Sequence, residues 1–378
     1  AYVASRTRIA LEAVDDDRTF IELGMDSLSI ADMIVRLDAA CGTRLSPAAI
    51  FAHPSIGALA RHVAAQCGRP VVGSTVPPGG AGRPDAGPET GAQVIDDAVL
   101  RDCVVTLQPK GAAQPVFAIP GAGGNALSMQ EIAHALGASH PFHCIESPGL
   151  AGRGPLPRSV EETAALNLRA MRRVQPKGPY ALLGYSNGGV VAFEMARQLR
   201  AGGERVASLT LVDTLCPDLR DAPVEAMMLA VFGRLLGAED GATGLDADTL
   251  AGVPEAERAD VLLAHARKAG LAIPEDRFMA MYAVATASER QCRAYVAEPI
   301  PGALDVTLFR AADAYAGVPD DYGWGRFLAR APAIHVIPAD HFSIVEKPAA
   351  GEIAKRMFAA KATQQRKPRA GKRTARAV

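Results

Sequence analysis

The sequence predicts a small helical domain followed by a larger α/β domain, whose mostly parallel sheet carries helices on both faces. Between Gly68 and Gly91, 12 of 24 residues are glycine or proline and no apolar periodicity is present, which is typical of a linker. Downstream, strand-like and helix-like segments alternate, as they do in a mostly parallel sheet covered on both sides. About 80 residues between Cys216 and Gly302 have helical patterning without a strand, which predicts an inserted helical lid.

The elements follow from apolar spacing. In the small domain, apolar side chains recur at helical intervals before the stop signal Gly42: Ile30, Met33, Ile34 and Leu37. In the large domain, apolar runs predict strands at 103–107, 115–119, 142–145, 180–185, 208–213, 304–309 and 333–337. Helices are predicted between them, among others at 128–136, 159–174 and 187–200.

These patterns set the expected boundaries. We expect the helical domain at 1–67, with its first helix truncated, the linker at 68–91 and the α/β domain at 92–360, with the lid at about 217–301. As a flexible coil, a 24-residue linker spans roughly 24–29 Å, which predicts that the small domain moves around the large one without a fixed contact. Residues 361–378 contain seven Lys or Arg and no acid, which predicts a disordered basic tail.

Composition limits the function classes. With 40 basic and 41 acidic residues, the net charge of −1 argues against a nucleic-acid binder. No run of 18 apolar residues and no signal peptide is present, so no membrane partner is expected. The six dispersed cysteines form no cluster with metal-ligand spacing, so we expect no metal and reduced thiols in a cytoplasm. The chain begins with Ala1 rather than Met, and we expect it to be a piece of a longer protein.

The first chemical motif is Ser27, at the start of an amphipathic helix. A serine in this place is usually an N-cap that accepts a backbone N–H. A helix N-terminus also stabilises a phosphate. The residues FIELGMDSL at 20–28 and FAHPSI at 51–56 resemble the four-helix acyl and peptidyl carrier domains of polyketide and non-ribosomal peptide synthases. The resemblance implies that Ser27 carries covalent 4′-phosphopantetheine, attached by a phosphopantetheinyl transferase, and GMDSL leans towards a polyketide-type acyl carrier.

The second motif is GYSNGG at 184–189, directly between a buried-strand run and a helical pattern. This strand–turn–helix context is that of a nucleophile elbow, which exposes Ser186 above the sheet. Serine is a poor nucleophile until a base held by an acid activates it. His341 follows the last predicted strand and is the expected base. Two aspartates at strand ends are candidates for the acid, Asp213 and Asp313.

Acyl transfer also requires two backbone N–H groups that stabilise the oxyanion. One is expected from Asn187, the residue after the nucleophile. The other is expected from the glycine-rich loop that follows an early strand, IPGAGG at 119–124.

Residues 180–213 resemble the type I thioesterase domains that terminate polyketide and peptide synthases, and the resemblance extends over about 102–360. It includes QPKGPY at 175–180, YGW at 322–324 and DHF at 340–342. It implies the α/β-hydrolase fold, favours Asp213 over Asp313 as the acid, and places the second oxyanion N–H at Ala122. Asn187 departs from the family, which more often has an apolar or small residue there. Because the oxyanion hole uses the backbone, we expect activity to survive with an altered acyl site.

Together the two resemblances imply a serine thioesterase that releases a polyketide or hybrid acyl chain delivered by upstream synthase modules. The chain would transfer from the carrier to Ser186 and leave by hydrolysis or macrocyclisation. Two alternatives remain open. The carrier could be a peptidyl carrier of a non-ribosomal peptide synthetase, or the chain could be a non-catalytic module that presents or edits cargo.

Overall fold

A computed structural model describes most of the chain. It covers residues 2–67 (except 8, 21–22, 24, 26, 44, 46–48 and 51–52), 97–151, 155–235, 245–268, 273–313, 315 and 317–358. The predicted linker at 68–91 and the basic tail at 361–378 lie outside the described residues.

The N-terminal domain is helical. Its described helices are α1 (Tyr2–Thr7), α2 (Ser27–Cys41) and α3 (Ile56–Cys67). Gly42 ends α2 with a φ of 64°, a conformation that suits glycine. The apolar faces of the helices share one small core, which includes Phe20, Ile30, Ile34, Leu59 and Val63.

The larger domain is built on a seven-stranded sheet in the order β1-β3-β2-β4-β5-β6-β7. The strands are β1 (Val104–Gln108), β2 (Val116–Ile119), β3 (Phe142–Ile145), β4 (Tyr180–Tyr185), β5 (Val206–Val212), β6 (Val306–Ala311) and β7 (Ala333–Ile337). All neighbours are parallel except β1 and β3. The mostly parallel sheet predicted from the sequence is therefore confirmed.

Helices cover both faces of the sheet. They are α4 (Asp97–Asp102), α5 (Gln130–Leu136), α6 (Val160–Val174), α7 (Asn187–Ala201) and the C-terminal α12 (Ala349–Met357). Alternate residues of one strand enter different cores: Leu182 packs with α6 and α7, whereas Leu183 packs with α5 and α12. This two-sided burial explains why β2, β3 and β4 are buried at every position, and His143 is the one charged or strongly polar residue in these three strands.

Between β5 and β6, the described residues form four α-helices and no strand. They are α8 (Val224–Leu235), α9 (Ala247–Gly252), α10 (Arg258–Lys268) and α11 (Glu275–Ala294). They have a core of their own that includes Phe232, Leu262 and Phe278. Within the described parts of the chain, no helix is long and apolar enough to cross a bilayer, and no cluster of His, Cys, Asp or Glu is placed to hold a metal ion.

Candidate active site

Ser186 lies at the sharp turn between β4 and α7. Its backbone adopts φ 54° and ψ −126°, a strained conformation for a residue with a side chain. The turn is also too crowded for side chains on its glycines. A Cβ at Gly188 would lie 2.2 Å from the Pro120 carbonyl oxygen, and one at Gly189 would lie 1.9 Å from Thr214 Oγ1. The structure therefore has the elbow geometry that the GYSNGG motif predicts.

Three of the predicted residues meet at this turn. Ser186 Oγ lies 3.0 Å from His341 Nε2, and His341 Nδ1 lies 2.6 Å from Asp213 Oδ2. Asp213 is fully buried, and its second oxygen accepts the Ala311 N–H at 2.7 Å and the Tyr322 hydroxyl at 3.0 Å. The Asp213 carboxylate is thus held in one orientation, which leaves Oδ2 to accept from the imidazole.

Tyrosines hold His341 from two sides. The Tyr185 hydroxyl donates to the His341 carbonyl oxygen at 2.8 Å, and its ring stacks on the imidazole with centroids 5.4 Å apart. The Tyr315 hydroxyl lies 3.5 Å from His341 Nδ1. Burial, followed by the negative charge of Asp213, raises the pKa of Tyr315, so its hydroxyl keeps its proton at neutral pH.

Asp313 occupies a different environment. It follows β6 but is exposed, and its backbone N–H donates to the Ala339 carbonyl oxygen. Among the described residues its carboxylate has no hydrogen-bond partner. Of the two aspartates that the sequence left as candidates, Asp213 is the one the structure brings to His341.

Of the two predicted oxyanion residues, Asn187 directly follows Ser186 and Ala122 follows Gly121, which lies against Ser186. Asn187 begins α7, so its N–H is among the helix amides without an intrahelical acceptor. Ala122 lies in the buried loop after β2, next to Gly121. A Cβ added to Gly121 would be only 3.4 Å from Ser186 Cβ. Within the described residues, neither the Ala122 nor the Asn187 N–H makes a backbone hydrogen bond.

The side chain of Asn187 belongs to a buried polar cluster that sequence reasoning missed. Its Oδ1 accepts from Arg220 Nη1 at 2.5 Å, and its Nδ2 donates to Glu289 Oε2 at 3.0 Å. Glu289 is 1% exposed and also pairs with Arg220 at 3.3 Å and with Arg293 at 2.8 Å. We call Asn187, Arg220, Glu289 and Arg293 the Arg220 cluster. It carries a formal charge of +1 beside the nucleophile and ties the elbow to α11.

One signal for the Arg220 cluster was present in the sequence. Asn187 stands where the family more often has an apolar or small residue. A buried amide side chain needs polar partners, so this difference indicated that polar residues lie nearby. Its partners Arg220 and Glu289 lie 33 and 102 residues away along the chain. Nothing in the local pattern of the insertion distinguishes them from charges on a solvated helix face.

Ser27 is the first residue of α2, a helix of 15 residues with no acidic residue in its first turn. The unpaired N–H groups and the positive end of the helix dipole at this position suit a phosphodiester. The position therefore fits the phosphopantetheine group that the resemblance implies. When bound, this group supplies a flexible arm that ends in a thiol.

Among the described residues, Arg277 and Leu127 of the large domain contact the small one. Arg277 of α11 donates from Nη2 to the Leu45 carbonyl oxygen at 2.8 Å, and its Nη1 lies 3.5 Å from Asp38 Oδ2. Leu127, which follows the glycine-rich loop, packs against the core of the small domain. The linker length predicts no fixed contact, whereas the structure shows a defined one with the insertion and the loop after β2.

Comparisons with known proteins identify the family of each domain. Residues 114–360 match the family model described as a thioesterase domain, and residues 1–63 match the model of a phosphopantetheine attachment site. The chain is 31% identical over 222 residues to indigoidine synthase of Dickeya dadantii (strain 3937), which covers 59% of this chain and 13% of that protein. It is 27% identical to the non-reducing polyketide synthase atnG of an Arthrinium species, over 90% of this chain and 17% of the relative.

A solved four-domain non-ribosomal peptide synthetase, bound to AMP and glycine, matches 97% of this chain and 26% of its own with a TM-score of 0.61. At 22% identity this likeness shows the fold alone. The chain thus spans less than a fifth of the length of the two curated relatives. The thioesterase model, in contrast, matches well over half of the chain. The protein belongs to the thioesterase domain family, as an α/β-hydrolase preceded by a phosphopantetheine attachment domain.

Proposed function

We propose that this chain releases a completed acyl chain from its own carrier domain, with Ser186 as the nucleophile, His341 as the base and Asp213 as the orienting acid. The observation that carries the proposal is the continuous set of hydrogen bonds Asp213–His341–Ser186 at a strained elbow. The phosphopantetheine attachment domain in the same chain supports a carrier-bound thioester as the substrate.

The geometry supports a two-step reaction. His341 Nε2 takes the proton of Ser186 Oγ as the oxygen attacks the thioester carbonyl. The N–H groups of Ala122 and Asn187 stabilise the oxyanion, which collapses with loss of the thiol as His341 returns the proton to sulfur. Water, or a nucleophile within the acyl chain, then attacks the ester on Ser186. His341 takes the proton of that nucleophile, and Ser186 leaves with it.

The nature of the chain is a further part of the proposal. The GMDSL motif and the relative matched over 90% of this chain favour a polyketide or hybrid product. The four-domain peptide synthetase with the same fold supports a peptidyl chain as the second candidate. In either case we propose upstream synthase modules as partners and the cytoplasm as the compartment, in agreement with six cysteines that are all free thiols.

Co-expression with a phosphopantetheinyl transferase is expected to add one phosphopantetheine unit to Ser27. The expectation rests on its place at the start of α2, and intact-protein and peptide mass spectrometry would locate the group. Ser27→Ala should abolish loading but leave hydrolysis of a small soluble thioester unchanged, because the two sites lie on separate domains. Modification at another serine, or at Ser55 in particular, would contradict the assignment.

Arg220→Gln is expected to lower kcat for a soluble thioester about tenfold with little change in KM. The substitution removes the cation that holds the Asn187 side chain and leaves Glu289 with only one of its arginines. The matched control is Arg290→Gln, because Arg290 follows Glu289 on α11 and pairs with Glu255 at the surface. Arg220→Lys should restore part of kcat if charge is the cause. Equal losses in both arginine variants would show a general effect on α11 instead.

Arg277→Ala is expected to slow transfer from Ser27-bound cargo to Ser186 about tenfold, since it removes a charged hydrogen bond to the carrier. Rapid-quench mass spectrometry of the loaded chain would give the first-order rate. Hydrolysis of a soluble thioester should not change. Arg267→Ala is the matched control, because the Arg267–Glu275 pair of the insertion is exposed and has no part in the carrier contact. A rate equal to that of wild type would show that the linker alone delivers the cargo.

A further inference from the structure

A cavity beside the oxyanion loop has no role in the mechanism above. It has a volume of about 530 Å³, counted with its open mouth. Its walls come from the loop after β2, the end of β3, α6, the start of α7 and α11. Gly121, Ala122 and Gly188 are among its lining residues, so the cavity begins within two residues of the nucleophile. A Cβ added to Gly121 would lie 3.4 Å from Ser186 Cβ, so this wall of the cavity lies against the turn that holds the nucleophile.

Two buried polar side chains in the wall have unused hydrogen-bonding capacity. Asn167 of α6 is 4% exposed, and among the residues the structure describes its side-chain amide has no partner. Glu146, which follows β3, is 7% exposed, and its Oε1 accepts the Ala126 N–H at 2.7 Å. Its Oε2 has no hydrogen-bond partner in the described chain. Buried polar groups are nearly always hydrogen-bonded, and in the wall of an open cavity the partner is water or a ligand.

Three other polar side chains in the wall are already hydrogen-bonded within the protein. Thr163 and Gln291 hydrogen bond to each other at 3.0 Å, and Gln291 also donates to the Pro157 carbonyl oxygen. Ser288 accepts from Asn187 Nδ2 at 3.3 Å. The partly buried hydroxyl of Ser147 in the same wall also has no partner among the described residues, so the free capacity of the cavity lies at Glu146, Asn167 and Ser147.

The charge and the free hydrogen-bond acceptors of the cavity wall indicate which chemical group of a ligand fits there. Burial raises the pKa of Glu146 to about 7, and the positive charge of Arg277 opposes this only in part. At neutral pH Glu146 is therefore only partly ionised, and a donor with positive charge at Oε2 would favour its ionised form. A ligand carboxylate would meet like charge at Glu146, and a hydroxyl has a single proton to donate. An ammonium group has three donors and the complementary charge, so it can satisfy both side chains.

We propose that this cavity binds an amino group of the acyl chain, whose N–H groups donate to Glu146 Oε2 and to Asn167 Oδ1. The proposal rests on the proposed function, because it takes Ser186 as the acylated residue. It assigns to the enzyme a substrate class: acyl thioesters that carry a free amine. The competing occupant is water, which can bridge such groups in a polar cavity of this size.

The test compares N-acetylcysteamine thioesters of hexanoate, 2-, 3- and 6-aminohexanoate and 6-hydroxyhexanoate, each corrected for uncatalysed hydrolysis. In the wild-type full chain, at least one aminohexanoyl thioester should have a kcat/KM about 10- to 100-fold above that of the hexanoyl thioester. Glu146→Gln and Asn167→Leu should remove this preference and leave hexanoyl turnover unchanged. Glu146→Gln retains an oxygen that can accept the Ala126 N–H, so the loop keeps its anchor.

Controls separate a ligand site from a structural one. Thr163→Val lies in the same wall, but its hydroxyl is partnered within the protein, and the variant should keep the amine preference. Asn167→Asp should increase that preference, a change in the opposite direction that unfolding cannot produce. Labelling of Ser186 by a fluorophosphonate verifies that each variant is folded.

The outcomes are decisive. Equal turnover of amino and hexanoyl thioesters by wild type would show a water-filled cavity and overturn the proposal. A preference for the hydroxy thioester, or an equal loss for all substrates in Glu146→Gln, would overturn it as well. A chain that hydrolyses none of the thioesters and is not labelled at Ser186 would instead refute the proposed function.

Discussion

Ser186→Ala is expected to lower turnover of a hexanoyl N-acetylcysteamine thioester about 10⁶-fold, which would make it indistinguishable from the uncatalysed reaction. In serine hydrolases the loss of the nucleophile costs nearly the whole contribution of the three residues, because they act as a unit. Here Ser186 Oγ is the atom within 3.0 Å of His341 Nε2, and no other hydroxyl among the described residues hydrogen bonds to that nitrogen. Thiol release followed with a chromogenic disulfide would measure the rate.

The control for this variant is Ser128→Ala. Ser128 is a partly buried serine after the oxyanion loop, and its hydroxyl donates to the Asn125 carbonyl oxygen. We expect this variant to keep wild-type turnover. Covalent labelling of the wild-type protein by a fluorophosphonate, located at Ser186, gives an independent readout. An unlabelled wild-type chain would favour a non-catalytic module that presents or edits cargo.

Asp213→Asn is expected to lower kcat about 10⁴-fold, whereas Asp313→Asn should have little effect. The carboxylate at 2.6 Å from His341 Nδ1 fixes the tautomer with Nε2 free to accept the serine proton. An amide in its place can donate to Nδ1 and so favours the wrong tautomer, which costs about 10⁴-fold in serine proteases. The substitution also preserves shape, so the Ala311 N–H and Tyr322 hydroxyl keep an acceptor.

Comparison of Asp213→Asn with Asp313→Asn tests which of the two aspartates, each following one of two neighbouring strands, is the orienting acid. Steady-state kinetics on the soluble thioester would give kcat and KM for both. The labelling rate with fluorophosphonate should fall in Asp213→Asn, since the serine is then poorly activated. Severe loss in Asp313→Asn with a mild effect in Asp213→Asn would mean that the acid is the residue after β6.

Most of the architecture could be predicted from local patterns. Strands such as β4 are runs of apolar residues because both faces of the sheet are buried, and a run of this kind is visible in the sequence. Ser186 was equally visible, because the elbow needs glycines on both sides of it. His341 followed from its position directly after the last strand, where the loop returns above the sheet edge.

The remaining features of the site depend on contacts between residues that lie far apart in the sequence and meet only in the folded chain. Local patterning places Asp213 and Asp313 alike at strand ends, and only the register of β5 with β6 brings one of them to His341. The same holds for Asn167 and Glu146, which share a cavity although they lie on different elements. In the sequence, Arg277 resembles any charged residue near the start of a helix. Its role in the domain contact is not visible there, because its partners are in another domain.

The crowding at the elbow limits how this protein can be redesigned or can diverge. A Cβ at Gly184 would lie 2.4 Å from the Gly188 carbonyl oxygen. Gly188 and Gly189 likewise have no space for a side chain. Substitutions at these glycines would therefore displace the nucleophile rather than reshape the site around it. A library of variants intended to alter the product should therefore vary the residues of α6 and α11 that line the cavity, where substitutions meet open space instead of packed atoms. The elbow remains constant in such a library, and new specificity comes from the helices that surround it.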